Sequence, residues 1–196
     1  MRHESLMPEL GQPVPQFALS DPGGKVYSLE DFSGSPALLV AFFCNHCPYV
    51  QHLLPAFVDF AAAYRVKGLA TVVISSNDVT AYPEDSPANM AILADKYNFS
   101  FPYLYDSEQT AARDFRAVCT PDFFLYDQSR KLVYRGQFDR SRPTTEHVQG
   151  NGFPADGSEM RRAVDALLAG EAVPGEQLPG IGCSMKWKPG NEPAWS

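Results

Sequence analysis

The chain has 196 residues, 44% of them hydrophobic, with a formal net charge of −7 and no run of Lys or Arg. That length suits one α/β domain whose core needs no disulfide staples, and the acidic balance argues against a nucleic-acid surface. Cysteines at 44, 47, 119 and 183 are too few and too uneven for a secreted disulfide scaffold, the longest apolar run (Ala37 to Phe43) is too short to span a bilayer, and Met1 to Leu10 lacks a signal-like stretch, so no membrane partner and a cytoplasmic location are expected.

In chain order, Phe17-Ala18-Leu19 and Val26-Tyr27 flank the turn Asp21-Pro22-Gly23-Gly24-Lys25 and read as a short β-hairpin. Ser28 to Phe32 reads as a helical turn. Ala37 to Phe43 has the continuous apolar character of a strand buried on both faces. Pro48 opens a helix to about Lys67, with Val50, Leu53, Leu54, Phe57, Val58, Phe60 and Ala61 on its apolar face. Leu69 to Ile74 is a second buried strand. Ser86, followed by Pro87, is the expected N-cap of a helix reaching Tyr97. Tyr103 to Tyr105 is a short strand, and Ser107 is the expected cap of a helix from Glu108 to Phe115. Asp122 to Tyr126 and Lys131 to Phe138 form a hairpin around Asp127-Gln128-Ser129-Arg130. After a loop from Arg140 to Gly157, Ser158 is expected to cap a helix from Glu159 to Ala169, with Gly170 just beyond.

This alternation predicts an α/β fold: an N-terminal hairpin, then a central mixed sheet flanked by helices. Residues 1–170 are expected to form the domain. Residues 171–196 form a Pro/Gly-rich tail, and Trp187 and Trp195 argue that it packs on the domain, because disordered tails are poor in aromatics.

Cys44-Asn45-His46-Cys47-Pro48 lies between a buried strand and a helix start. Two cysteines at this spacing, in this context, read as a redox site. The unpaired N–H groups and positive dipole end of a helix stabilise a thiolate, so a cysteine there is reactive near neutral pH. A protonated His46 adds to the effect.

Phe17-Ala18-Leu19, Ser28-Leu29, Phe32-Ser33-Gly34 and Leu39 to Phe43 resemble the start of the alkyl-hydroperoxide-reductase and thiol-specific-antioxidant superfamily. Cys119-Thr120-Pro121-Asp122-Phe123-Phe124-Leu125 resembles the cis-proline strand of thioredoxins. The likeness covers residues 11–139, and with the closing Gly-Cys-Ser-Met-Lys-Trp-Lys-Pro-Gly-Asn it is greatest to a bacterial peroxiredoxin-like group within the thioredoxin fold. Thioredoxins place their nucleophile eight residues before a helix proline, and Pro55 stands in that relation to Cys47. The resemblance therefore makes Cys47 the nucleophile and puts Val50 where thioredoxins carry their second cysteine. Peroxiredoxins carry Thr or Ser three residues before the peroxide-reducing cysteine, Pro seven before it, and a distant arginine. Here the matching positions are Cys44, Val40 and Pro121. Both peroxide-polarising groups are missing unless Arg113, Arg116 or Arg135 substitutes.

The resemblance further implies a cis bond before Pro121 and a backbone at Thr120 that faces the nucleophile. Thr120, Pro121, His46 and Pro48 are the expected substrate-facing residues, and Cys47, Cys44 and Cys119 the expected catalytic ones. Cys44 is the simplest resolving partner, Cys119 the second and Cys183 the third, with packing as the alternative role of Cys183. The expected function is a thiol–disulfide oxidoreductase or peroxiredoxin-like antioxidant without a cofactor, acting on a disulfide or peroxide and recharged by a thioredoxin- or glutathione-type reductant. A homodimer is left open. Two alternatives stand beside it. One is a Cu or Zn protein using Cys44, Cys47 and neighbours such as His46 and Cys119. The other is a non-catalytic interaction domain anchored by its tryptophans. His52 points away from the cysteines on the expected helix, and His147 reads as a solvated loop residue.

Overall fold

A computed structural model describes residues 2–146 and 148–195; His147 lies outside the described residues. The elements run β1 (Arg2–Glu4), β2 (Ala18–Ser20), β3 (Val26–Ser28), a 3-10 turn (Leu29–Phe32), β4 (Ala37–Phe42), α1 (Pro48–Arg65), β5 (Leu69–Ser75) and α2 (Pro87–Tyr97). They continue through β6 (Tyr103–Tyr105), α3 (Thr110–Phe115), β7 (Cys119–Thr120), β8 (Asp122–Tyr126), β9 (Leu132–Gly136), α4 (Ser158–Leu168) and β10 (Ile181–Ser184). None of the described helices is long and apolar enough to cross a membrane.

Seven strands form one mixed sheet in the order β3-β2-β6-β5-β4-β8-β9. β4 lies parallel to β5, β5 parallel to β6, and the β8–β9 hairpin adds antiparallel strands beside β4. All six residues of β4 are buried, because alternate side chains enter different apolar layers. Leu39, Ala41 and Phe43 meet Phe57 and Phe60 of α1 and Val164 of α4. Leu38, Val40 and Phe42 meet Phe115 of α3, Phe124 and Met185. The result is the α/β architecture that the element order predicts, in the thioredoxin-like arrangement that the resemblance implies.

Two helix starts differ from the sequence expectation. α3 begins at Thr110 rather than Glu108, and its N-cap position is Gln109 in the left-handed region. Ser107 bonds Glu108 instead, while Asp106 accepts the N–H groups of Thr110 (3.0 Å) and Ala112 (2.9 Å). The buried carboxylate is the stronger acceptor for orphan donors at a positive helix end. α4 includes Ser158, and its N-cap position is Gly157 at φ 66°. Any Cβ at Gly157 would strike the Phe138 ring, at 2.4 Å, so both the conformation and the space there require glycine.

A second, three-stranded sheet, β1-β10-β7, joins the beginning, the end and the middle of the chain. Trp187 packs half-buried against the α3-side layer and meets Trp195 edge-on at 6.3 Å, with Arg116 over the Trp195 ring. Asn77 and Gln109 hold the tail backbone: Lys186 N–H donates to Asn77 (2.9 Å) and Lys188 N–H to Gln109 (2.8 Å).

Candidate active site

β4 delivers the Cys44–Cys47 loop to the start of α1. Cys47 takes the N-cap position with Pro48 next, and its carbonyl accepts the Gln51 N–H at 2.9 Å.

The Thr120–Pro121 peptide bond is cis. Thr120 meets both cysteines of the loop: its hydroxyl lies 3.2 Å from Cys44 Sγ, and its carbonyl accepts from the Cys47 thiol at 3.1 Å. Burial pushes the Cys47 thiol up, but hydrogen bonds from Cys183, Cys44, the Val50 N–H and Thr120 outweigh it and hold Cys47 well below the ordinary thiol range. Ionisation exchanges the thiol bond to the Thr120 carbonyl for the thiol and amide donors. Cys44 is raised in turn, first because it donates to Cys47, then by burial. Cys183 is raised for the same two reasons. The cluster thus favours charge on Cys47 over Cys44 and Cys183.

His46 does not face Cys47 as a simple helper. Its Nδ1 lies 2.7 Å from Asp85 Oδ2, and its ring stacks on Tyr82. The Asp85 hydrogen bond raises its pKa. Asp85 is fully buried and also accepts from Asn45 N–H (2.7 Å), His46 N–H (3.3 Å) and Asn77 Nδ2 (2.8 Å). Its pKa is lowered: burial raises it, and His46 and Asn77 more than reverse that. This carboxylate fixes the loop that carries both cysteines. No sequence signal marks it, because its partners are distant in sequence.

Cys119 is buried on the same short strand as Thr120, but its sulfur turns to the Pro121 carbonyl at 3.8 Å. Burial, then Asp122, raises it well above the ordinary range. Arg113 bonds Asn191, Arg116 covers Trp195, and Arg135 bonds the Pro8 carbonyl and Gln177. All three arginines proposed from sequence are therefore engaged elsewhere. Tyr49 packs in the α1-side core. Cys44 Sγ, His46 and Asp85 each bring a ligand atom within 4.8 Å of the others. The metal set expected from sequence had Cys47 and Cys119 in place of Asp85.

All four cysteines are unpaired, and Cys44 and Cys47 are 1% and 0% exposed. A pocket lined by Tyr49, His52, Pro121, Arg142 and Ile181 among others holds about 10 Å³, no more than about one water.

A buried cysteine at a helix start, facing the carbonyl before a cis-proline, on this mixed sheet, defines a thioredoxin-fold, thiol-dependent oxidoreductase. The AhpC/TSA family pattern matches residues 10–135, and the chain belongs to that family. Among curated relatives, chloroplastic Peroxiredoxin Q of Populus jackii is 30% identical over 148 residues, 71% of this chain and 66% of the relative. Thiol-disulfide oxidoreductase ResA of Bacillus cereus is 20% identical over 138 residues, 70% of this chain and 75% of the relative. An uncharacterized conserved protein from Geobacillus kaustophilus superposes with a TM-score of 0.91 at 47% identity, covering 96% of this chain and 97% of its own. Peroxidoxin BcpB of Mycobacterium tuberculosis, at 20% identity, shares the fold with a TM-score of 0.57 over 82% of this chain and 94% of its own.

Proposed function

We propose that Cys47 is the nucleophile of a thiol–disulfide exchange enzyme that prefers disulfides to peroxides. The observation that carries this is the Cys47 sulfur at the start of α1, 3.1 Å from the Thr120 carbonyl that precedes the cis-proline, where its neighbours draw its pKa down. A thiolate attacks a disulfide sulfur and forms a mixed disulfide. Peroxide reduction of the peroxiredoxin type also needs a polarising hydroxyl and an arginine. Cys44 stands in the hydroxyl's place, and Arg113, Arg116 and Arg135 are bound elsewhere. Cys44 acts as a proton-bearing donor to the thiolate. Thr120 and Pro121 form the wall opposite Cys47, Pro48 sets the helix start and His46 anchors the loop through Asp85. Cys119 has a packing role. A thioredoxin- or glutathione-type dithiol or thiol in a reducing cytoplasm recharges the enzyme.

The metal reading is weaker. The close set mixes one thiol with a hard carboxylate and an imidazole already committed to it, a poor match to Cu(I).

The reading is tested by following the Cys47 thiolate by ultraviolet absorbance against a Cys47→Ser blank. The midpoint falls well below the ~8.5 of a free thiol, and Cys44→Ala raises it by roughly one pH unit. The rate of reaction with oxidised glutathione is flat above that midpoint, declines as pH falls through it, and is lost in Cys47→Ser. A wild-type midpoint near ~8.5, or a Cys47→Ser variant that reacts at the wild-type rate, overturns the reading.

A further inference from the structure

Thr120 is the meeting point of the site and the tail. β10 pairs antiparallel with β7, with Cys183 opposite Thr120 and Ser184 opposite Cys119. The Thr120 carbonyl, 3.1 Å from Cys47 Sγ, is also the atom against which Gly182 lies, so close that a Cβ there would come within 2.1 Å of it. Cys183 is the next residue along that strand, and it packs against the core cluster that contains Cys44 and Cys47. Register and close approach thus bring a second thiol toward Cys47 from the far end of the chain.

The other thiols are less suited to complete a reaction. Cys44 is buried beside the Thr120 hydroxyl, and a bond between it and Cys47 would leave both sulfurs enclosed. Cys119 turns toward the Pro121 carbonyl. Cys183 alone of the four is half-exposed. Lys186 is fixed nearby, donating to the Ser184 carbonyl at 2.7 Å.

We propose that Cys183 is the resolving cysteine, carried by β10 to Cys47, so that turnover passes through a Cys47–Cys183 disulfide. The inference rests on Cys47 being the nucleophile. In the first step the Cys47 thiolate attacks one sulfur of a substrate disulfide; a Cys47–substrate S–S bond forms and the other substrate sulfur leaves as a thiolate. That thiolate takes the Cys183 proton. The Cys183 thiolate then attacks Cys47 Sγ, forming the internal disulfide and releasing the second substrate sulfur as a thiolate. The substrate disulfide gains two electrons and the two protein thiols lose them. An external dithiol attacks at half-exposed Cys183 and returns both to the reduced state.

The test uses the full-length reduced protein and oxidised glutathione, with acid quenching, alkylation and peptide mapping over time. Wild type accumulates the Cys47–Cys183 disulfide. Cys183→Ser accumulates glutathione on Cys47, with a lifetime longer by about tenfold or more. Cys44→Ser still forms the Cys47–Cys183 bond. If wild type maps to Cys44–Cys47, or Cys183→Ser clears glutathione from Cys47 at the wild-type rate, Cys183 is not the resolver and the nucleophile stands. If glutathione reacts equally well with Cys47→Ser, the nucleophile itself is wrong and this inference falls with it. Tryptophan fluorescence checks that the variants fold, and the wild-type map decides the question without them.

Discussion

Cys47 draws its donors from three places: its own helix, its own loop and a strand near the other end of the chain. A different buried acid shows the opposite balance. Asp122 follows the cis-proline, is fully buried, and has one oxygen without a hydrogen-bond partner, while the Phe123 N–H reaches the other at 3.1 Å. Burial pushes its carboxyl up to about 7. The folded state therefore binds this proton more tightly than the unfolded chain does. Its contribution to stability is full below the unfolded value of 3.8 and is lost as pH rises through about 7. Between those limits the slope is at most ~1.4 kcal/mol per pH unit. Asp122→Asn removes this fall, so urea denaturation at pH 5 and pH 8 should give a smaller difference for the variant than for wild type. His46 has the same sign, with its hydrogen bond to Asp85 most stabilising at low pH and lost as pH rises through its elevated value. Asp85 has the reverse sign, its contribution being lost only as pH falls through its depressed value. The His46 window also opens in the neutral range, so the Asp122 effect is read as the difference between Asp122→Asn and wild type, in which the His46–Asp85 pair is common to both.

At the scale of elements, β10 is held by a fit that tolerates no side chain at Gly182. Gly182→Ala forces the strand away from the Thr120 carbonyl, with a cost of about 1–3 kcal/mol for overpacking. The expected readings are a lower melting temperature and faster native-state alkylation of Cys47. An unchanged alkylation rate would mean that β10 does not shield the sulfur. This part of the molecule was least legible in the sequence. The apolar run at Ala37 and the Pro48 helix start place Cys47 between strand and helix with no structure in hand, because strand burial and helix capping are local properties; the Pro55 register is what the resemblance adds. β1, β7 and β10 have two to four residues each and no alternating apolar pattern. Their pairing comes from tertiary packing alone. The tail was expected to pack on the domain, but nothing in Gly182-Cys183-Ser184 announces a strand. Asp85 escaped for a related reason: a carboxylate between two prolines reads as a helix start, and its four donors become neighbours only in the folded chain. The shifted cap of α3 has a local cause, since Asp106 and Ser107 are adjacent and only their burial decides between them.

For the whole molecule, the two apolar layers on either side of β4 set the stability of everything that surrounds Cys47. Phe57 lies at the centre of one layer, with ring centroids of Phe43 at 4.8 Å, Phe101 at 5.5 Å, Phe138 at 5.6 Å and Phe123 at 5.8 Å. It joins α1 to the end of β4 and to the strand after Pro121. Phe57→Ala should lower stability by ~3–5 kcal/mol, for the lost transfer energy and the cavity left behind. Equilibrium denaturation measures this directly, and a loss below ~1 kcal/mol would mean that the layer closes over the gap. Because both walls of the cysteine loop rest on this ring cluster, the variant should also lose part of the Cys47 pKa depression.

The small sheet that joins β1, β10 and β7 has a consequence for the protein as it is made. Synthesis runs from the N-terminus, and domains begin to fold as their residues emerge. Cys47 and its helix leave the ribosome long before Ile181–Ser184 is translated. Until that last strand arrives, the Thr120 edge is open and the sulfur has lost one of its donors. A ribosome-bound nascent chain stalled before residue 180 therefore presents an uncovered thiol to cellular glutathione and oxidants, while the released protein keeps it enclosed.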